Sequence, residues 1–180
     1  MRALFALCLA VLSSCASSGS PEPGRPIAQT VRLNGGSAGS LTINPSSSGS
    51  AAPLPYSAQQ VWRVLPQVFD SLGIPIGVLD PELYQVGNAG YKLRRQLGGV
   101  ALSRYFNCGE TQIGPNADSY DVYLRAMAQV NANPDGTATI ATTMDAAARP
   151  MSFAQDYTRC SSTGELEARI IEATRRRLSQ

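Results

Sequence analysis

Four cysteines and no histidine set the chemistry open to this 180-residue chain. Histidine is the commonest general base and the commonest metal ligand, so its absence removes Ser–His–Asp and Cys–His catalysis and most zinc sites. The cysteines are Cys8, Cys15, Cys108 and Cys160. Cys108 and Cys160 are not a Cys-Xaa-Xaa-Cys redox pair, and two thiols alone lack the further ligands a metal needs. No metal or other cofactor is therefore expected. Asp118 and Asp121 are the nearest thing to paired acids. Three apart on a strand they point to opposite faces, and they read as solvated strand-edge charges. The one concentrated basic region of the middle is Lys92, Arg94, Arg95 and Arg104, with Tyr91 and Tyr105 nearby. On a strand Lys92 and Arg94 share a face and Arg95 opposes them. The region is a candidate site for an anionic partner such as lipid headgroups, a glycan or an acidic protein surface, or else a solvated face.

The amino terminus carries an address. Arg2 is followed by an apolar run from Ala3 to Leu12 and then two serines. That is the charged, apolar and small-residue order of a secretory signal, and the run is too short to span ~30 Å of hydrocarbon as a helix. Leu12-Ser13-Ser14-Cys15 follows directly and resembles the bacterial lipobox. The resemblance implies removal of residues 1–14 and lipidation of Cys15. Each buried CH₂ adds about 0.8 kcal/mol, so two or three acyl chains anchor stably. Ala16 and Ser17, with no aspartate after the cysteine, imply by analogy the outer membrane facing the periplasm. In an exported domain the remaining pair, Cys108 and Cys160, reads as a disulfide, the alternative being two free buried thiols.

Composition divides the rest. Residues 15–53 are rich in Ser, Gly and Pro and read as a tether, whose 38 residues after Cys15 reach roughly 30–40 Å. Two β-like runs around Asn34-Gly35-Gly36 suggest a short hairpin within 29–44. Residues 54–180 read as a single globular domain. Ser57 is a candidate N-cap for a helix whose stripe is Val61, Val64, Leu65, Val68, Phe69 and Leu72, with Gly73 as its stop and Pro66 as an expected kink. Ile74–Val78 and Tyr84–Val86 read as short strands, Gly87-Asn88-Ala89-Gly90 as a turn, and 100–106 as a short helix with Leu102, Tyr105 and Phe106 inward. Alternation through Val122, Leu124, Ala126, Ala128 and Val130, followed by Asn133-Pro134-Asp135-Gly136, predicts a hairpin over 119–145. A last helix starts after a Ser162 or Thr163 cap and ends in Arg175, Arg176 and Arg177, which complement its dipole.

These elements predict an α+β fold, a small antiparallel sheet packed in two layers against an N-terminal and a C-terminal helix. The order is similar to the helix-grip domains of BamC-like outer-membrane lipoproteins, which implies a scaffold or accessory role in an envelope assembly. The formal charge of +2 is not the basic footprint of a nucleic-acid binder, so no nucleic-acid partner is expected. The expected function is a non-enzymatic, membrane-anchored envelope lipoprotein that binds a protein or envelope component. A carrier of a small hydrophobic ligand between sheet and helix is the alternative, and an enzyme the third reading.

Overall fold

A computed structural model describes residues 29–32, 40–43, 48–152 and 156–180; Cys15, the signal segment and most of the tether lie outside them. In chain order the elements begin with β1 (Gln29–Arg32) and β2 (Ser40–Ile43), which pair antiparallel with Gln29 opposite Ile43. There follow β3 (Ser48–Leu54), α1 (Ala58–Ser71), β4 (Val78–Asp80) and β5 (Gln85–Arg94). A run of small elements comes next: β6 (Gln96–Leu97), β7 (Val100–Ala101), a 3-10 turn (Leu102–Arg104), β8 (Phe106–Asn107), β9 (Glu110–Thr111), β10 (Gly114–Pro115) and α2 (Asn116–Ser119). The long hairpin β11 (Asp121–Ala132) and β12 (Ala138–Arg149), then β13 (Thr158–Ser162) and α3 (Glu165–Leu178), complete the chain.

The expected small sheet against two terminal helices is corrected. The main sheet has seven strands, and strand outweighs helix among the described residues. Its order is β4-β5-β11-β12, and the far edge of β12 is divided between two strands. β3 covers Ala138–Met144 and β13 covers Ala146–Ala148, with β8 beyond β13. Three segments account for the difference. Ser48–Leu54, read as tether, is an antiparallel partner of β12, so the folded domain begins earlier than residue 54. The four residues from Gly87 to Gly90, read as a turn, lie inside β5. There the register slips: Tyr91 pairs with Leu124 but Asn88 pairs with Ala126, a bulge that absorbs Ala89 and Gly90. A Cβ built at Gly87 would overlap the Ala126 carbonyl oxygen and lie 2.8 Å from Met127 Cα. Glycine is present because neighbouring backbone approaches that closely, not because the chain turns. Finally, β12 runs on to Arg149, past the expected end at 145.

The helices form for local reasons. Ser57 and Gln60 make a reciprocal capping box at the start of α1. At its end the Gly73 N–H donates to the Asp70 carbonyl and the Ile74 N–H to the Phe69 carbonyl, with Gly73 at φ +74. This Schellman stop brings buried Ile74 onto buried Phe69. Gly164, in a left-handed conformation, takes the N-cap position of α3 in place of the expected Ser162 or Thr163. Both hydroxyls still accept nearby backbone N–H groups, from Gly164 and Glu165.

Val61, Leu65, Val68 and Phe69 of α1 and Leu166 and Ile170 of α3 are fully buried against Val86, Val122, Leu124, Ala126, Ile140 and Met144 of the sheet. α1 and α3 also pack on each other. These side chains form one core cluster between helices and sheet. Cys108 and Cys160, both buried, stand at disulfide-bonding distance, with Sγ–Sγ 2.02 Å. The bridge ties the segment after β8 to β13 at the divided edge of the sheet.

Candidate functional site

On the sheet face away from the helices, alternation collects charge. Lys92 and Arg94 of β5 lie beside Asp121 and Tyr123 of β11, as their pairing dictates. Asp121 is only 5% exposed and is held by Lys92 Nζ and Arg94 Nε, each at 2.5 Å. This corrects its reading as a solvated edge charge: strand alternation put it on the far face from Val122, and two cations from the neighbouring strand made its burial affordable. Burial pushes its pKa up, but the hydrogen bonds from Arg94 and Lys92 outweigh that and hold it below the ordinary carboxylate value. One strand further on, Asp145 faces Arg125 at 3.6 Å. Burial dominates there and raises the Asp145 pKa despite Arg125 and Arg159. Tyr157 sets its ring edge-on to Tyr123 at 5.1 Å, with the Arg149 guanidinium 4.8 Å from its centroid. Burial raises the Tyr157 phenol above its ordinary value.

The two aspartates have opposite linkage signs. A lowered folded pKa means that Asp121 contributes stability above its unfolded value of about 3.9, lost as pH falls through the folded value. The raised value at Asp145 means that its ionisation costs stability, regained as pH falls through that value. In urea unfolding, Asp121→Asn is expected to be less stable than the wild type above about pH 5, with the gap closing as pH falls below 4. A gap that stays constant down to strongly acid pH would refute the ion-pair account.

Asp118 is not on a strand at all. It lies on α2, where its two carboxylate oxygens accept the backbone N–H and hydroxyl of Ser103, at 2.8 and 2.7 Å. It therefore anchors α2 to the 3-10 turn and is not a partner of Asp121 in acid–base chemistry.

The four basic candidates separate. β5 ends at Arg94, and Arg95 takes a left-handed φ of +63. Alternation stops there, so Arg95 does not take the strand's opposite face as expected. Arg94 and Arg95 instead line one open cleft of about 840 Å³. Lys92 stays on the sheet face against Asp121. Arg104 is not among the residues lining the cleft; it lies in the 3-10 turn, where its carbonyl accepts the Thr163 hydroxyl.

The cleft is assembled from four separate stretches: the end of β5, the β9–β10 turn, α2 with Tyr120, and the segment after β12. Its apolar walls are Ile113, 85% exposed at the tip of the two-residue β9–β10 turn, and Met151, 55% exposed. Sequence reading missed both. An isoleucine in a turn between a glutamine and a glycine belongs to no apolar period, and that isolation was the only signal available. The charged side chains lining the cleft are Arg94, Arg95 and Asp118, whose carboxylate accepts from Ser103. A shallower depression of about 420 Å³ lies beside the end of α1, lined by Asp70, Pro75, Tyr91 and Leu93. Burial raises the Tyr91 phenol above its ordinary value. Among the described residues no group of three or more acidic or cysteine side chains is placed to hold a metal ion.

No protein-family profile matches the sequence, and a search of curated proteins finds no match.

Proposed function

We propose that the chain is a lipid-anchored lipoprotein of the bacterial cell envelope, held at the outer membrane facing the periplasm, and that its domain docks a protein or envelope component without chemistry of its own. The observation that carries the docking role is the open cleft with Arg94 and Arg95 on its wall and Ile113 and Met151 at its lips. Large exposed apolar side chains beside unburied arginines are what a recognition surface offers a partner. Anchoring rests on Leu12-Ser13-Ser14-Cys15 directly after the apolar run. The Cys108–Cys160 pair supports an exported location, because such bridges persist in oxidising compartments. The cluster of buried side chains between helices and sheet supports docking over carriage of a hydrophobic ligand there.

Metabolic labelling with an alkyne fatty acid tests the anchor. The wild type is expected to take the label and pellet with membranes, while Cys15→Ser takes none and leaves the membrane fraction. Equal labelling of the two would refute the anchor. In-cell crosslinking of the lipidated protein tests the docking role: adducts are expected, and recovery of co-purified lipid with no crosslinked partner counts against it.

A further inference from the structure

We propose that the open edge of β3 is closed by the chain's own β1–β2 hairpin, with β2 as the next strand of the sheet. Among the described residues β3 pairs with β12 alone, which leaves its other edge open along Ser48–Leu54. Sheets ordinarily guard such an edge with charge, a bulge or brevity. Two other edges of this sheet are guarded in that way. β4 is three residues long and ends against Pro81. The stretch of β5 beyond β4 carries the bulge at Ala89 and Gly90 and the charges of Lys92 and Arg94. β3 has seven residues, none of them charged, and pairs without a bulge. Its edge is in the form that accepts a strand.

Chain length and register choose the occupant. β2 also has an open edge, since among the described residues it pairs only with β1. It ends at Ile43 and β3 starts at Ser48, so only residues 44–47 separate the two open edges. Four residues is an ordinary hairpin loop, and Asn44-Pro45 supplies turn-forming types at its start. Such a loop sets Ile43 opposite Ser48 and Leu41 opposite Ser50. Ser48 and Ser50 pair with Met144 and Thr142, both buried on the helix face of the sheet. Alternation then assigns Leu41, Ile43 and, through its pairing with Leu41, Val31 to the helix face. Their polar neighbours Thr30 and Thr42 fall on the opposite face. A loop one residue shorter or longer would reverse both sets. The apolar set falls on the side where α3 packs against β3. A second copy is the weaker occupant, because a stable interface engages about 20–30 residues a side and this edge offers seven. A segment joined through so short a loop meets the edge at an effective concentration in the millimolar range. Docking also changes reach, a consequence that rests on the lipid anchor at Cys15. The stretch between that lipid and the sheet becomes residues 16–28 instead of 16–47, which cuts a coil's reach from roughly 30 Å to roughly 20 Å.

Hydrogen–deuterium exchange of the full-length protein in detergent micelles, read by mass spectrometry, tests this. A lone two-stranded hairpin is marginal in water, so strong protection of β2 needs a third strand. Residues 40–43 and 49–52 are expected to exchange at least about tenfold more slowly in the wild type than in Leu41→Asp, which puts a charge on the helix face. Thr42→Asp makes an equal charge change on the opposite face and is expected to keep the protection. Exchange of 40–43 in the wild type as fast as in an unstructured peptide would overturn the proposal, as would equal losses in Leu41→Asp and Thr42→Asp. So would protection that rises with protein concentration alongside a dimer in light scattering, which gives the edge to a second copy. The same exchange pattern is expected in Cys15→Ser, so a failed fatty-acid label removes the effect on reach and leaves the strand pairing standing.

Discussion

Replacing Cys108 and Cys160 together by serine lowers the melting temperature by roughly 12–20 °C, read by scanning calorimetry. The bridge closes a loop with a sequence separation of 52, for which loop-closure entropy in the unfolded chain gives about 4 kcal/mol. At about 3–5 °C per kcal/mol for a domain of this size, that is the expected shift. The location argues for the full value. β13 holds β12 through three residue pairs and β8 through two, so the divided edge of the sheet has few backbone bonds of its own. Both sulfurs are buried, and serine would place two hydroxyls among apolar neighbours. Adding reductant to the wild type should produce a matching drop and have no effect on the double variant. A shift of only a degree or two would show that the edge is held by packing alone.

Gly87→Ala should cost about 3 kcal/mol or more, a large share of the stability of an ordinary domain. Two costs add at this site. The new Cβ overlaps the Ala126 carbonyl oxygen, and β5 can relieve that only by moving off β11. The backbone also has φ +155, which side chains rarely adopt. Gly136→Ala is the control. Gly136 has φ +84 in the β11–β12 turn, but a Cβ there meets nothing within 4 Å. Only the conformational cost remains, about 1 kcal/mol. Urea unfolding midpoints of the two variants should therefore differ widely, and equal losses would refute the close-approach account of the glycine-rich stretch in β5.

Those two glycines show why part of this fold was legible and part was not. Asn133-Pro134-Asp135-Gly136 reads correctly as a turn because all that makes it a turn is local: the Gly136 N–H donates to the Asn133 carbonyl, and Asp135 accepts from Thr137. Gly87-Asn88-Ala89-Gly90 has a similar composition and lies in a strand, because what selects glycine is the backbone of β11, some forty positions away. The same division holds for β3. Ser-Gly-Ser-Ala-Ala-Pro-Leu has no apolar alternation to announce a strand, and only pairing with Ala138–Met144 makes it one.

Leu102, Tyr105 and Phe106 are buried as expected, although 100–106 is β7, a 3-10 turn and the start of β8 and not the expected short helix. Alternation and helical spacing were sufficient for the inward set from Val122 to Val130 and the α1 stripe with its Ser57 cap and Gly73 stop. Each depends on neighbours within a turn or two of chain, so residue types alone settle it. The cysteine count likewise pointed to the Cys108–Cys160 pair, since Cys8 and Cys15 belong to the amino-terminal address, but that the two come within bonding distance was decided by the fold. The size of the sheet, the divided edge of β12, the burial of Asp121 beneath Lys92 and Arg94, and the cleft joining Arg94 and Arg95 to Ile113 and Met151 were decided in three dimensions. Their physical cause is common to all: each is a contact between stretches far apart in the chain, and no periodicity along one stretch carries the identity of its partner.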